Sequence, residues 1–76
     1  MNIKIYSTPT CPYCVALKDF LKERKIDFED IDVSKDHQAA GEMIKKSGQM
    51  GVPVIDIDGE IVVGFDRERI AKLLNL

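Results

Sequence analysis

The alternation of apolar and polar positions predicts that the chain opens with a strand followed by a helix. Residues 3–7 alternate along their length and are rich in β-branched and aromatic side chains, which is typical of a strand. From residue 13 to about residue 25 the apolar residues instead recur at helical spacing. Pro12 suits the first turn of this helix, and Thr10 or Cys11 is expected at its N-cap. The buried face of the helix is expected to comprise Cys14, Leu17, Phe20 and Leu21.

The middle of the chain predicts a second strand and a second helix. Residues 26–33 have strand character, but their alternation shifts between Phe28 and Ile31, which predicts a bulge. Ser34 is expected to cap the helix that follows. Gly48 is expected to end it, because glycine readily adopts the left-handed conformation found after many helices. The predicted buried face of this helix consists of Ala40, Met43 and Ile44.

The last part of the chain predicts a β-hairpin and a closing helix. Two short strands, 52–57 and 60–65, flank Asp58-Gly59, a dipeptide that strongly favours a two-residue hairpin turn. Asp66 is expected to cap the last helix. Its buried face is expected to comprise Ile70, Leu73 and Leu74. The order β-α-β-α-β-β-α predicts an α/β fold, with a parallel first β-α-β unit and a four-stranded mixed sheet that carries three helices.

Length and charge exclude several classes of function. With 76 residues the chain is expected to form one domain, spanning 1–76, without room for an enclosed cofactor cavity. The 11 basic and 13 acidic residues give a net charge of −2 and no basic stripe, so nucleic acid is not an expected partner. The longest apolar run, 61–65, is far shorter than the roughly 18 residues that cross a membrane. Residues 1–6 lack the apolar stretch of a signal peptide, so we expect a cytoplasmic protein. We also expect the protein to be a monomer.

Two cysteines, Cys11 and Cys14, carry the chemistry that the sequence predicts. They lie three residues apart at a helix start and share a face, with their Cα atoms expected about 5–6 Å apart, within the range of a disulfide. Cys11 lies where free backbone N–H groups and the positive end of the helix dipole favour a thiolate. Cys14 lies one turn further on, on the apolar face, where desolvation favours the neutral thiol. Thiol–disulfide exchange requires this pairing of a nucleophile with a resolving thiol.

Other roles for the two cysteines fit the sequence less well. A structural disulfide is unusual in a cytoplasmic protein, and a bridge between residues three apart closes too short a loop to stabilise much. A zinc site needs four ligands, and only His37 could join the cysteines. An iron–sulfur cluster needs four thiolates, so it would require a second chain or free thiols. A Cys-x-x-Cys that follows a strand and opens a helix is typical of a thioredoxin-like redox site, and no metal is expected.

Two further features leave alternatives open. Pro53 at the start of a strand favours an extended Val52, which either marks a blocked strand edge or leaves Val52 free to pair with an extended substrate. The residues alone favour the blocked edge. Lys18, one turn beyond Cys14, either supplies positive charge to the thiolates or is a solvated lysine. A solvated strand edge and loop is expected for the acidic run Asp27, Glu29, Asp30 and Asp32.

Together these motifs resemble the glutaredoxin family of the thioredoxin fold over essentially the whole chain. The resemblance rests on Cys11-Pro12-Tyr13-Cys14, Val52-Pro53 and Gly64-Phe65-Asp66, with family-like segments at 18–21 and 43–48. It implies a thioredoxin-like fold, a cis bond before Pro53 that faces the sulfur of Cys11, and Cys11 as the attacking thiol. It also implies glutathione as co-substrate and no resident cofactor. The implied groove for glutathione or a substrate peptide is lined by Tyr13, Gln49, Val52, Pro53, Gly64 and Asp66.

The chain departs from the glutaredoxin pattern at several positions. Thr8 replaces a lysine that usually attracts a glutathione carboxylate. Val63, Phe65 and Arg67 replace a glycine, a small residue and an acidic residue. These changes are closer to the glutaredoxin-like redoxins, which are reduced by thioredoxin reductase and donate electrons to ribonucleotide reductase.

The predicted function is that of a cytoplasmic thiol–disulfide oxidoreductase that cycles a disulfide between Cys11 and Cys14. Its substrates would be disulfide-containing proteins or glutathione mixed disulfides. The reductant implied by the resemblance is glutathione or thioredoxin reductase, and in the second case ribonucleotide reductase is the implied acceptor. A different class of function also remains, a dimeric scaffold that shares an iron–sulfur cluster through Cys11.

Overall fold

A computed structural model describes residues 1–76 as a four-stranded mixed sheet with three helices. The elements in chain order are β1 (Ile3–Ser7), α1 (Pro12–Glu23), β2 (Glu29–Asp32), α2 (His37–Ser47), β3 (Val54–Ile57), β4 (Glu60–Val63) and α3 (Arg67–Leu73). The strand order is β2-β1-β3-β4, with β1 and β2 parallel and the other two pairs antiparallel. The predicted element order and fold class are therefore confirmed.

Strand alternation divides the apolar side chains between two layers. In β1, Ile3 and Ile5 pack with α1 and α3, whereas Tyr6 packs with α2. The first layer also contains the buried residues of α1 and α3 and the C-cap of α3, which are Leu17, Phe20, Leu21, Ile70 and Leu74. The second layer consists of Tyr6, Ala39, Met43 and Val54. The central strands β1 and β3 are thus covered by apolar side chains on both faces.

The prediction for the second strand is wrong in its start and in its bulge. β2 begins at Glu29, and its parallel register with β1 runs without interruption from Glu29 to Asp32. Phe28 lies ahead of the strand and packs on the layer under α1 and α3, whereas Ile31 packs under α2. The shift in the apolar pattern therefore marks the entry of the chain into the sheet and not an extra residue.

The predicted cap and buried face of α2 are also corrected. Asp36, not Ser34, caps the helix through its carboxylate. Ser34 lies in the preceding turn, where its N–H donates to Asp32. The buried residues of α2 are Ala39 and Met43. Ala39 and Met43 face the sheet, so Ala40, one residue round the helix, is only partly buried and Ile44 is 40% exposed.

The predicted hairpin is confirmed, and its strands are shorter than expected. Asp58 and Gly59 adopt φ values of 49° and 93°, the left-handed pair that this turn requires. Residues 52–53 and 64–65, predicted as strand, lie in loops at one end of the sheet. Gly48 ends α2 with a φ of 72°, as predicted. None of the three helices has the length and apolar character needed to cross a membrane.

Candidate active site

The N-terminal end of α1 holds both cysteines. Cys11 is the N-cap residue and Pro12 takes the first helical turn, as the sequence predicts. The two sulfurs form a disulfide, and the Cα atoms of Cys11 and Cys14 are 5.2 Å apart, within the predicted range. Cys14 is fully buried whereas Cys11 is partly exposed. A substrate can therefore approach only the sulfur of Cys11 from solvent.

The sulfur of Cys11 also receives a backbone hydrogen bond. The Cys14 N–H donates to Cys11 Sγ at 3.1 Å. This N–H is one of the groups that a helix N-terminus leaves without a backbone partner, and the positive end of the helix dipole lies at the same place. Both effects favour negative charge on Cys11 Sγ once the disulfide is reduced.

The segment that precedes β3 lies against Cys11. The Val52–Pro53 peptide bond is cis, and the Val52 carbonyl oxygen is 3.9 Å from Cys11 Sγ. The Val52 N–H makes no hydrogen bond within the chain. The Gly64 N–H donates to the Pro53 carbonyl at 2.8 Å and so attaches the end of β4 to this segment. A free backbone donor and a carbonyl acceptor are therefore available beside the sulfur.

Gln49 bonds to its own loop. Its Oε1 accepts the Gly51 N–H at 2.6 Å, and its Nε2 donates to the Gly51 carbonyl at 3.0 Å. Ser47 Oγ donates to the Gln49 carbonyl at 3.0 Å. The family resemblance implied that Gln49 lines a groove, and the structure gives it contacts that shape the loop leading to Val52. Met50, at the tip of this loop, is 77% exposed.

The remaining residues that the resemblance assigned to a groove lie on neighbouring segments. Tyr13, between the two cysteines, is 69% exposed. Gly64 has a φ of 78°, a conformation that residues with a side chain rarely adopt. Asp66 caps α3 as predicted and accepts the Arg69 N–H at 3.3 Å, which engages one of its two carboxylate oxygens.

Lys18 is bound to an aspartate of β2. Its Nζ donates to Asp30 Oδ2 at 2.9 Å, and Ser7 Oγ donates to Asp30 Oδ1 at 2.8 Å. Ser7 is the only polar residue among the buried residues of the chain. Asp30 therefore joins β1, β2 and α1, a role that the prediction of a solvated acidic run missed. The available signal was Ser7 itself, which occupies a position of β1 where the alternation requires an apolar side chain.

Comparisons with known proteins fit this geometry. Residues 3–62 match the family model described as Glutaredoxin. The chain belongs to the glutaredoxin family. It is 54% identical over 72 residues to an uncharacterized glutaredoxin-like 8.6 kDa protein in the rubredoxin operon of Clostridium pasteurianum, an alignment that covers 95% of this chain and 96% of that protein.

Two solved structures show the same fold as this glutaredoxin-family chain. A mutant of the thioredoxin-like protein BC3987 has a TM-score of 0.92 and 39% identity, covering 97% of this chain and 95% of that one. NrdH-redoxin from Escherichia coli, a glutaredoxin-like protein with a thioredoxin-like activity profile, has a TM-score of 0.84 and 32% identity, covering 96% and 95%. The chain is thus a glutaredoxin-like thiol redox protein with a Cys-x-x-Cys disulfide.

Two of the positions that depart from the glutaredoxin pattern pack against Phe20 of α1. The Phe65 and Phe20 rings meet edge to face, with centroids 5.6 Å apart. The guanidinium carbon of Arg67 lies 5.4 Å from the Phe20 centroid, and that of Arg24 lies 3.8 Å from it. The contacts of Phe65 and Arg67 attach the start of α3 to α1. Periodicity could not predict them, because it assigns a residue to a face without naming its neighbour.

A second charged cluster lies on the α2 face of the sheet. Lys46 Nζ donates to Tyr6 Oη at 3.0 Å and to Asp56 Oδ2 at 2.9 Å. The hydrogen bond to Tyr6, followed by that to Asp56, raises the pKa of Lys46. Burial works to raise the pKa of Asp56, but the hydrogen bonds from Lys46 and the Gly59 N–H outweigh it and lower that pKa. No group of three or more His, Cys, Asp or Glu side chains is arranged to hold a metal ion.

Proposed function

We propose that the chain is a dithiol oxidoreductase in which Cys11 attacks a substrate disulfide and Cys14 resolves the product. One observation carries this proposal, the difference between the two sulfurs. Cys11 is partly exposed and accepts the Cys14 N–H, whereas Cys14 is fully buried. A nucleophile must meet its substrate, and a resolving thiol needs only to reach the sulfur of the nucleophile.

The proposed reduction consists of two exchanges. The Cys11 thiolate attacks one substrate sulfur, forms a mixed disulfide, and releases the other substrate sulfur as a thiolate that takes up a proton. Cys14 then loses its proton and attacks Cys11 Sγ, which releases the second substrate thiolate and leaves the Cys11–Cys14 disulfide. Two electrons pass from the cysteines to the substrate, and an external reductant restores them. Neither exchange requires a resident cofactor.

The surroundings of Cys11 support disulfide-containing proteins as the main substrates. The free N–H and the carbonyl of Val52 allow an extended segment to pair with the backbone in the manner of an added strand. Three exposed apolar side chains lie on α1, on the loop before Val52 and at the end of β4. These are Tyr13 (69% exposed), Met50 (77%) and Val63 (50%). Exposed apolar surface of this kind favours a protein partner. Glutathione mixed disulfides are the second substrate class in this proposal, and Gly64 and Asp66 are the residues proposed to contact the glutathione.

Two cysteine substitutions test the proposed roles. Cys11→Ser is expected to abolish disulfide reduction, because no exposed nucleophile remains. Cys14→Ser is expected to trap a covalent adduct between the chain and its substrate, visible by mass spectrometry under non-reducing conditions. Activity in the first variant, or no adduct with any disulfide substrate in the second, would contradict the assignment.

A second candidate function differs in the reductant. In it, thioredoxin reductase and not glutathione reduces the Cys11–Cys14 disulfide. It is favoured by the likeness to NrdH-redoxin, whose activity profile is thioredoxin-like. It is also favoured by the packing of Phe65 and Arg67 on Phe20, because glutaredoxins usually carry a small and an acidic residue at these two positions. Donation of electrons to ribonucleotide reductase belongs to this candidate.

One coupled assay separates the two reductants. NADPH consumption is measured with glutathione plus glutathione reductase, and separately with thioredoxin reductase alone, with the same disulfide substrate. Activity only with thioredoxin reductase supports thioredoxin reductase as the reductant, whereas activity only with glutathione and glutathione reductase supports glutathione. The iron–sulfur scaffold stays a prediction of another class. It requires visible absorbance in protein purified without oxygen, and a colourless protein would contradict it.

A further inference from the structure

The contact between α1 and β2 bears on how the acidity of Cys11 is set. Asp30 accepts Lys18 Nζ at 2.9 Å through one carboxylate oxygen and Ser7 Oγ at 2.8 Å through the other. The Asp30 side chain is nevertheless 46% exposed, and that of Lys18 is 19% exposed. An ion pair with so exposed a member contributes on average less than about 1 kcal/mol to stability. The hydrogen bond from the buried Ser7 hydroxyl gives Asp30 a part in folding, but the ion pair with Lys18 adds little to it.

The pair fixes the position of the Lys18 ammonium relative to the reactive sulfur. Cys11, Cys14 and Lys18 succeed one another at spacings of three and four residues, which puts them on one face of α1. Cys11 Sγ lies beside Val52, just ahead of β3, whereas Lys18 Nζ is bound to β2. β1 lies between β2 and β3, so these two strands are about 10 Å apart at the usual spacing of a sheet.

We infer that Asp30 is a positioning residue that holds and neutralises the Lys18 ammonium, and so keeps the Cys11 thiol less acidic than a free Lys18 would make it. This inference rests on the proposed role of Cys11 as the nucleophile. A single positive charge about 10 Å away stabilises a thiolate, whereas a lysine paired with a carboxylate presents a dipole of much weaker field. A less acidic thiol is also the stronger nucleophile once ionised.

Other charged groups near the two ends of this network have partners of their own. On β2, Asp32 accepts the Ser34 N–H. At the start of α3, Arg67 lies against Phe20, and Asp66 caps the helix. The charge balance between α1 and β2 can therefore be changed through Lys18 and Asp30 while these contacts are kept.

Two charge-removing substitutions and their combination test the inference. Asp30→Asn leaves Lys18 unpaired and is expected to lower the pKa of the Cys11 thiol by about 0.3, the effect of one charge near 10 Å in water. Lys18→Gln leaves Asp30 unpaired and is expected to raise that pKa by a similar amount, and the double variant should return it to the starting value. The pKa is measured at low salt by the ultraviolet absorbance of the thiolate, in a Cys14→Ser background so that a single thiol titrates.

Matched controls remove the same charges from nearby exposed positions. These controls are Lys22→Gln and Asp27→Asn. Lys22 lies one turn beyond Lys18 on α1, and Asp27 lies ahead of β2. Both should shift the pKa of the Cys11 thiol by less than the paired residues do, because they lie further from the sulfur. Lys18→Arg keeps the charge and the pair, and it is expected to keep the original pKa.

A purely structural role for the pair predicts a different pattern. Both single variants would then move the pKa in the same direction or leave it unchanged, and the double variant would not restore it, a result that overturns the inference. Failure of the proposed function is distinguishable, because it appears as disulfide reduction by Cys11→Ser. If thermal unfolding shows that Asp30→Asn does not fold, the sign of the shift in Lys18→Gln decides, and a fall or no change contradicts the inference.

Discussion

Adjacent residues of β1 bring a hydroxyl group to a lysine–aspartate pair on each face of the sheet. The α2-side cluster consists of Tyr6, Lys46 and Asp56, and the α1-side cluster consists of Ser7, Lys18 and Asp30. In both clusters the lysine Nζ lies 2.9 Å from an aspartate oxygen. The hydroxyls are used in opposite ways, because Tyr6 accepts from its lysine whereas Ser7 donates to its aspartate.

The two clusters differ in how far the carboxylate is withdrawn from water. The Asp56 side chain is 13% exposed, and that of Asp30 is 46% exposed. Removal of the lysine leaves a largely buried carboxylate in the α2-side cluster, but one that water can still solvate in the α1-side cluster. We therefore expect the same residue types to act on stability on one face and on local charge on the other. Burial of the carboxylate, not the ion-pair distance, decides between these roles.

The largest expected effect is a loss of stability in the α2-side cluster. Lys46→Met leaves Asp56 and the Tyr6 hydroxyl without their shared partner, and we expect the free energy of unfolding to fall by about 2 kcal/mol. Urea denaturation followed by circular dichroism measures this change. Lys45→Met is the matched control, since Lys45 is exposed and makes no ion pair, and it should change the free energy by less than about 0.5 kcal/mol. Equal losses in the two variants would contradict the prediction.

The next effect is a pH dependence that arises from Asp56. Its pKa is lowered from the ordinary value of 3.8, because the hydrogen bonds from Lys46 and the Gly59 N–H outweigh the effect of burial. A carboxyl group with a lowered folded-state pKa stabilises the fold above its unfolded-state pKa, and this contribution is lost as the pH falls through the folded-state value. The stability difference between the native chain and Asp56→Asn should thus be largest above about pH 5 and shrink below about pH 4. Urea denaturation across this range tests it, and a constant difference would refute it.

Local patterns in the sequence were sufficient for the fold and for the redox pair. The helix start at Cys11-Pro12, the hairpin at Asp58-Gly59 and the cap at Asp66 depend on residues close together in the chain, and the structure confirms all three. The same holds for the disulfide between Cys11 and Cys14, whose spacing predicts the observed Cα separation. The assignment of Tyr13 and the other groove residues to substrate binding stays a prediction.

Contacts between distant segments could not be predicted in this way. Asp30 belongs to an acidic run, and only the parallel pairing of β1 with β2 brings it to the hydroxyl of Ser7. Phe28 and Ile31 suggested a bulge because they pack in different layers, which a one-dimensional pattern cannot distinguish from a shift in register. The cis bond before Pro53 was implied only by the family resemblance, since most X–Pro bonds are trans.

The smallest expected change in stability gives the sharpest contrast between the two clusters. Lys18→Met leaves Asp30 half exposed and still bonded to Ser7, so the free energy of unfolding should fall by less than about 1 kcal/mol, well below the loss in Lys46→Met. The unpaired carboxylate should instead raise the pKa of Cys11 by about 0.3, which is seen as a shift to higher pH in the pH dependence of its alkylation rate. In Lys46→Met the alkylation rate of the folded protein should be unchanged. If Lys18→Met loses as much stability as Lys46→Met, ion-pair distance and not burial determines the contribution, and the contrast between the two faces fails.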